Sequence, residues 1–178
     1  MIHETMRLLL RPWEASDAEQ LYFYAKDPEV GPRAGWQPHT SPEDSLNIIR
    51  QVLSAPRTYA VILKETGLPV GSVGLMVGKE SNLDLPESEG EIGYWIGVPF
   101  WGKGLIPEAV QELLRHGFYD LGLQKIWCAY FEGNHQSKRV QEKCGFHYQY
   151  TRNSWWPALG EERTEHVNCI LREEYCIE

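Results

Sequence analysis

The stretch Gly93-Tyr94-Trp95-Ile96-Gly97-Val98-Pro99-Phe100-Trp101-Gly102-Lys103-Gly104-Leu105 constrains this chain more than any other. An alternating apolar strand ends in a glycine-punctuated turn, and the turn opens directly into an amphipathic helix. That helix carries Val110, Leu113, Leu114, Phe118 and Leu121 on one side. The turn aims a row of free backbone N–H groups, at the positive end of a helix dipole, toward one point, which is a pyrophosphate cradle. Gly102 and Gly104 allow a close backbone approach that side chains would block. Pro107 is tolerated because the first helical turn has no partner for its missing N–H.

Around this unit the pattern alternates strands and helices. Residues 7–11 read as a strand. Ser16-x-x-Glu19 is a capping box for a helix with Ala18, Leu21, Tyr22 and Ala25 on one face. A loop follows through 28–40. Ser41 caps a second helix with Pro42 at its first position and Leu46, Ile49 and Leu53 as its stripe. Residues 59–63 and 70–77 flank a turn as a β-hairpin, and 79–90 form a polar connector. Ile92, Tyr94, Ile96 and Val98 share one face of the opening strand, and Glu91, Gly93, Trp95 and Gly97 share the other. Residues 125–130 form a strand apolar on both faces. A third long helix spans about 134–144, with Gly145 as its left-handed terminator. Two final strands, near 146–152 and 164–171, enclose Trp155-Trp156-Pro157. The reading is a single α/β domain over 1–178.

Composition narrows the function classes. A formal charge of −8 disfavours nucleic acid and suits cationic partners such as amines, or simply keeps the protein soluble. No apolar run reaches membrane-spanning length and no signal-peptide profile opens the chain, so a cytoplasmic protein is expected. Cys128, Cys144, Cys169 and Cys176 lack CxxC pairing, and the histidines lack metal-ligand spacing, so no metal is expected.

These segments together resemble the GNAT superfamily of acyl-CoA-dependent N-acyltransferases, and within it the RimJ/RimL-type branch. Glu91-Ile92-Gly93-Tyr94-Trp95-Ile96 with Trp101-Gly102-Lys103-Gly104 and Glu108-Ala109 is similar to the branch's acyl-CoA segment. Asn134-x-x-Ser137, followed by Cys144-Gly145-Phe146, is similar to its second cofactor segment, and Trp36-x-Pro38-His39-Thr40-Ser41-Pro42-Glu43 to its N-terminal signature. The resemblance implies a mixed, mostly antiparallel sheet of about seven strands, flanked by helices on both faces. It also implies a splay between the fourth and fifth strands, here 91–98 and 125–131. Two departures stand out: Trp101 occupies a position that is Gln or Arg in the superfamily pattern, and Ile106 replaces a small residue, where its bulk is expected to tighten or shift the cradle.

The implied activity is acetyl transfer from acetyl-CoA to a primary amine, by direct attack in a ternary complex. The acceptor is a protein N-terminal α-amine or a small-molecule amine. The alternative is a non-catalytic acyl-CoA sensor on the same fold. The backbone of Trp101, Gly102, Lys103, Gly104 and Leu105 is expected to hold the pyrophosphate, and Ile96 and Val98 the pantetheine arm, with Gly97 marking the splay. Glu91 reads as the base for the amine or as a solvated strand-end carboxylate. Asn134 and Ser137 fall on one helical face, as cofactor contacts with Ser137 near the sulfur, or as a helix cap and an ordinary first-turn residue. Tyr148 rivals Ser137 as the acid, or is a half-buried aromatic. Trp36 and His39 line the acceptor site or pack beneath their loop. Monomer and homodimer stay open.

Overall fold

The computed structural model describes residues 1–175, so Cys176 lies outside the described residues. One open sheet of eight strands runs in the order β1-β2-β3-β4-β5-β6-β8-β7. The strands are β1 (His3–Glu4), β2 (Leu8–Arg11), β3 (Thr58–Leu63), β4 (Leu68–Val77), β5 (Glu89–Ile96), β6 (Lys125–Phe131), β7 (His147–Trp156) and β8 (Glu161–Leu171). The strand beyond the expected seven is β1, a two-residue edge that pairs His3 with Leu10 and Glu4 with Leu9. Every pairing is antiparallel except β5 with β6.

Helices cover both faces, because the strands alternate their apolar side chains. Leu8, Leu10 and Val61 pack against α4 (Leu105–Arg115), while Leu9, Ala60 and Ile62 pack with α1 (Ala18–Ala25) and the segment of Ile49. The same rule divides β5, whose Ile92, Tyr94 and Ile96 join the α4 side and whose Trp95 joins the α1 side. Two further helices are α3 (Pro42–Ile48), capped by Ser41 through the Asp44 N–H at 3.0 Å, and α5 (His135–Lys143).

Four local expectations change. Ser16 does not cap α1, which starts at Ala18 after a 3-10 turn. Instead the buried Asp17 carboxylate accepts the Glu14 N–H at 2.9 Å and a forked pair from Arg11 at 2.7 and 2.8 Å. The charged pair offers stronger hydrogen bonds than a neutral hydroxyl. The 28–40 segment holds a short helix, α2 (Gly31–Ala34), ended by Gly35 at φ +97°. Trp155 and Trp156 belong to β7 rather than to a loop, because Gly160 at φ +67° turns the chain directly into β8. Leu121 stands 41% exposed, since it lies past the π-helical turn His116–Asp120 that ends the helix.

The sheet splits where the resemblance placed the split. β5 and β6 pair only from Glu89, Gly90 and Glu91 to Lys125, Ile126 and Trp127. Beyond that point β5 stays on β4 as far as Ile96 opposite Gly71, and β6 stays on β8 as far as Phe131 opposite Glu165. Gly97 does not mark the split. Its N–H still bonds Val70 O at 2.9 Å, and a Cβ there would meet the Tyr24 ring at 2.5 Å. Glycine at this position serves the packing of α1 against the strand end.

Candidate functional site

The turn after β5 has the geometry of an anion cradle. Gly102 and Gly104 both sit at φ +74°, a left-handed conformation costly for any residue with a Cβ. The backbone N–H groups of Gly102, Lys103, Gly104, Leu105 and Ile106 make no hydrogen bond among the described residues. The last two belong to the first turn of α4, where helix geometry offers no internal acceptor. Two braces hold the turn. The Trp101 indole N–H donates to Ile96 O at 3.0 Å, and Arg7 donates to Lys103 O at 2.9 Å while pairing with Glu108 at 2.7 Å. Lys103 is exposed, its ammonium 5.6 Å from the centre of the Phe100 ring.

A groove of about 110 Å³ runs beside the cradle, with Gln136, Arg139 and Lys143 of α5 on its far wall. The sequence pattern pointed to none of these three. Basic residues on a helix facing a glycine turn were the signal that could have found the two cations. Ile106 does not fill the cradle. Its side chain is buried in the core, and it lines both this groove and the larger cavity next to it.

That cavity, about 260 Å³, occupies the split between β5 and β6. Tyr94 and Ser137 face it from opposite strand and helix walls. The Asn134 side chain caps α5 through the Ser137 N–H at 3.2 Å, and both residues line the cavity, so cap and cavity wall coincide. The Ser137 hydroxyl lies 2.7 Å from the Tyr94 hydroxyl and 3.3 Å from Gln141 Nε2. Gln141 is itself fixed by Asn168 at 2.5 Å. Burial pushes the Tyr94 phenol well above its ordinary range, so it stays protonated. Cys128 lines the same cavity as a neutral thiol, also raised by burial. Both Ile96 and Val98, expected to offer main-chain groups here, have their carbonyls engaged by Trp101, through its indole and its backbone N–H respectively. Val98 also lies in a 3-10 turn past the end of the strand.

At the other end of the cavity stand carboxylates. Glu91 is only 6% exposed, which replaces the picture of a solvated strand end. Its Oε2 accepts the Ser81 hydroxyl at 2.6 Å and the Asn82 N–H at 2.9 Å; its Oε1 has no partner among the described residues. Burial raises its pKa above the usual carboxylate range, with the Glu165 charge adding to the rise and the two hydrogen bonds and Arg152 opposing it. Glu165 of β8 is also buried and lines the same cavity, paired with Arg152 at 2.9 Å. Trp156 completes this wall. It packs against Gly35 and edge-on to Phe131, and its buried Nε1 has no hydrogen-bond partner among the described residues.

Three expected site residues stand apart from this cavity. Trp36 packs edge-on to Trp95 at 5.6 Å within the α1-side core. His39 is buried beneath the loop, its Nδ1 2.7 Å from Ser45 Oγ and its pKa lowered by burial. Tyr148 is 61% exposed on the edge strand β7, with its hydroxyl on Thr151 at 2.8 Å. A bulge between Tyr148 and Tyr150 interrupts the register there, and the ring lies outside the split.

Comparison with known proteins gives a consistent result. The family described as Acetyltransferase (GNAT) domain matches residues 7–147. The uncharacterized N-acetyltransferase p20 of Bacillus licheniformis is 30% identical over 176 residues, covering 96% of each chain. A GNAT-family acetyltransferase structure from Bacillus anthracis superposes with a TM-score of 0.84 at 28% identity, covering 98% of this chain and 100% of that one. The fold is shared with a ribosomal-protein-S5-alanine acetyltransferase of Vibrio fischeri, TM-score 0.74 at 21% identity, covering 99% and 100%. The chain belongs to the GNAT acetyltransferase family and is an N-acetyltransferase whose acetyl donor is acetyl-CoA.

Proposed function

We propose that this GNAT enzyme acetylates a primary α-amine by direct attack in a ternary complex, in the manner of the RimJ/RimL-type branch. One observation carries the reading: a single cavity connects the cradle-side wall of Trp101 and Ile106 to the buried carboxylate of Glu91, through the split between β5 and β6. The unpaired N–H groups of Gly102 to Ile106, with Arg139 and Lys143 opposite, suit a pyrophosphate. The diverging edges of β5 and β6 suit an extended amide chain. When bound there, acetyl-CoA supplies an activated thioester carbonyl.

The chain's own groups then divide the proton work. Glu91 Oε1 takes the proton of the acceptor ammonium, and the raised pKa makes it a stronger base than an exposed carboxylate. An α-amine, with a pKa of roughly 7.7–8, asks less of such a base than a lysine at about 10.4. Ser137 Oγ accepts from Gln141 Nε2; with the Tyr94 phenol as donor across the 2.7 Å hydroxyl contact, the Ser137 O–H is free to donate to a departing thiolate. Tyr94 holds its proton and orients Ser137. Trp36 and His39 support the loop beneath the acceptor wall.

Thiol release from acetyl-CoA against a panel of N-terminal peptides, lysine peptides and small amines tests the reading. Turnover on peptide α-amines is expected. Tight donor binding with no turnover on any amine would establish the sensor alternative, and turnover confined to small amines would remove the peptide acceptor.

A further inference from the structure

Two carboxylates enter one buried space from different strands, and a residue of a third strand touches both arrangements. Arg152 Nε donates to Glu165 Oε2 at 2.9 Å, and its Nη2 reaches Asn82 O at 3.4 Å. Asn82 in turn donates its N–H to Glu91 Oε2 at 2.9 Å. A continuous path therefore runs from Glu165 through Arg152 and the 81–82 loop to Glu91. The other groups facing this space contribute little net charge. Cys128 of β6 and Tyr94 of β5 are neutral, and Glu29 and Arg33 near α2 pair with each other at 2.8 Å. Glu89, on the same strand as Glu91, is tied to the Trp127 indole at 2.6 Å.

We propose that Arg152 is the positioning residue that sets the charge of the acceptor end. Two carboxylates and one guanidinium leave that end with a single uncompensated negative charge, matched to one ammonium. The acceptor therefore binds as its cation and gives its proton to Glu91 inside the cavity. This rests on the acceptor site being the one described above. Without Arg152, the charge of Glu165 acts on Glu91 unopposed and raises its pKa further.

The test is a carbon-13 carboxylate titration of the donor-free protein, read alongside the pH profile of kcat/KM for the acceptor. In Arg152→Met the Glu91 midpoint is expected to move up, and the acidic limb of kcat/KM to move with it. Arg152→Lys, which keeps the positive charge, should hold the midpoint close to the wild-type position. Arg152→Met combined with Glu165→Gln should return the midpoint to the wild-type position, because one charge of each sign has been removed. An unmoved midpoint in Arg152→Met, or a double variant as shifted as the single, overturns the proposal. Should Arg152→Met fail to fold, Arg152→Gln decides in its place: its Glu91 midpoint must rise, and an unchanged midpoint overturns the proposal equally. Absence of amine turnover in the wild type would break the proposed function while leaving the titration to decide the role of Arg152.

Discussion

The cradle and the acceptor end flank opposite ends of one strand, β5, and are built in opposite ways. The cradle is a contiguous run, Gly102 to Ile106, whose free groups are backbone N–H and whose shape is imposed by two glycines. The acceptor end gathers side chains from β5, β7, β8 and the 81–82 loop, and its properties come from burial and charge. Local geometry is damaged by changing the local backbone or the two braces that hold it, Trp101 and Arg7. An assembled electrostatic site can be retuned from any of its contributing elements.

The largest expected effect falls on the assembled site. Glu91→Gln should lower kcat by about 10²–10⁴-fold with donor affinity retained, as measured by steady-state kinetics beside calorimetric binding. The same residue gives a stability signature. Its folded pKa lies above the unfolded one, so the folded state binds the extra proton, and wild-type stability falls as pH rises from the ordinary carboxylate range through the folded pKa. Denaturant melts of wild type and Glu91→Gln across that window should diverge in favour of the variant; parallel curves would remove the burial argument.

Next comes the cradle. Gly104→Val forces a β-branched residue to φ +74° and should cost about 100-fold or more in donor affinity with an unchanged far-UV circular dichroism spectrum. Retained affinity would show that the donor phosphates sit elsewhere. Ser137→Ala should lower kcat by about 10–100-fold and move donor affinity less, whereas Tyr94→Phe, which orients the serine, should cost less than Ser137→Ala. The reverse order would make the phenol the donor. Smallest of all, Tyr148→Phe should leave kcat and KM within error, and His39→Ala should lower the melting temperature without changing the pH profile.

The contrast also explains what the chain discloses in one dimension. The cradle, the Asn134 cap with Ser137 three residues on, and the Gly145 terminator are local features, and their geometry follows from the residues themselves. Glu165 and Arg152 meet only because β7 and β8 pair in one register, and Tyr94 finds Ser137 at a sequence separation of 43. No periodicity signals such a contact. Trp36 and His39 leave two readings open for a related reason: a loop position in sequence says nothing about whether the side chain turns outward or tucks beneath the loop, as these do onto Trp95 and Ser45. Gly97 misleads differently, because the missing Cβ accommodates Tyr24 of α1 rather than a bulge.

The brevity of the β5–β6 pairing carries a thermodynamic consequence. Only three residues of each strand join β1–β5 to β6–β8 within the sheet, so much of the cohesion between the two sheet halves rests on α4, α5 and whatever spans the split. A ligand that bridges those edges binds the folded state and not the unfolded chain. By mass action it adds about 2.7 kcal/mol when present at a hundred times its dissociation constant. An enzyme saturated with acyl donor is therefore expected to unfold at higher denaturant concentration than the donor-free chain.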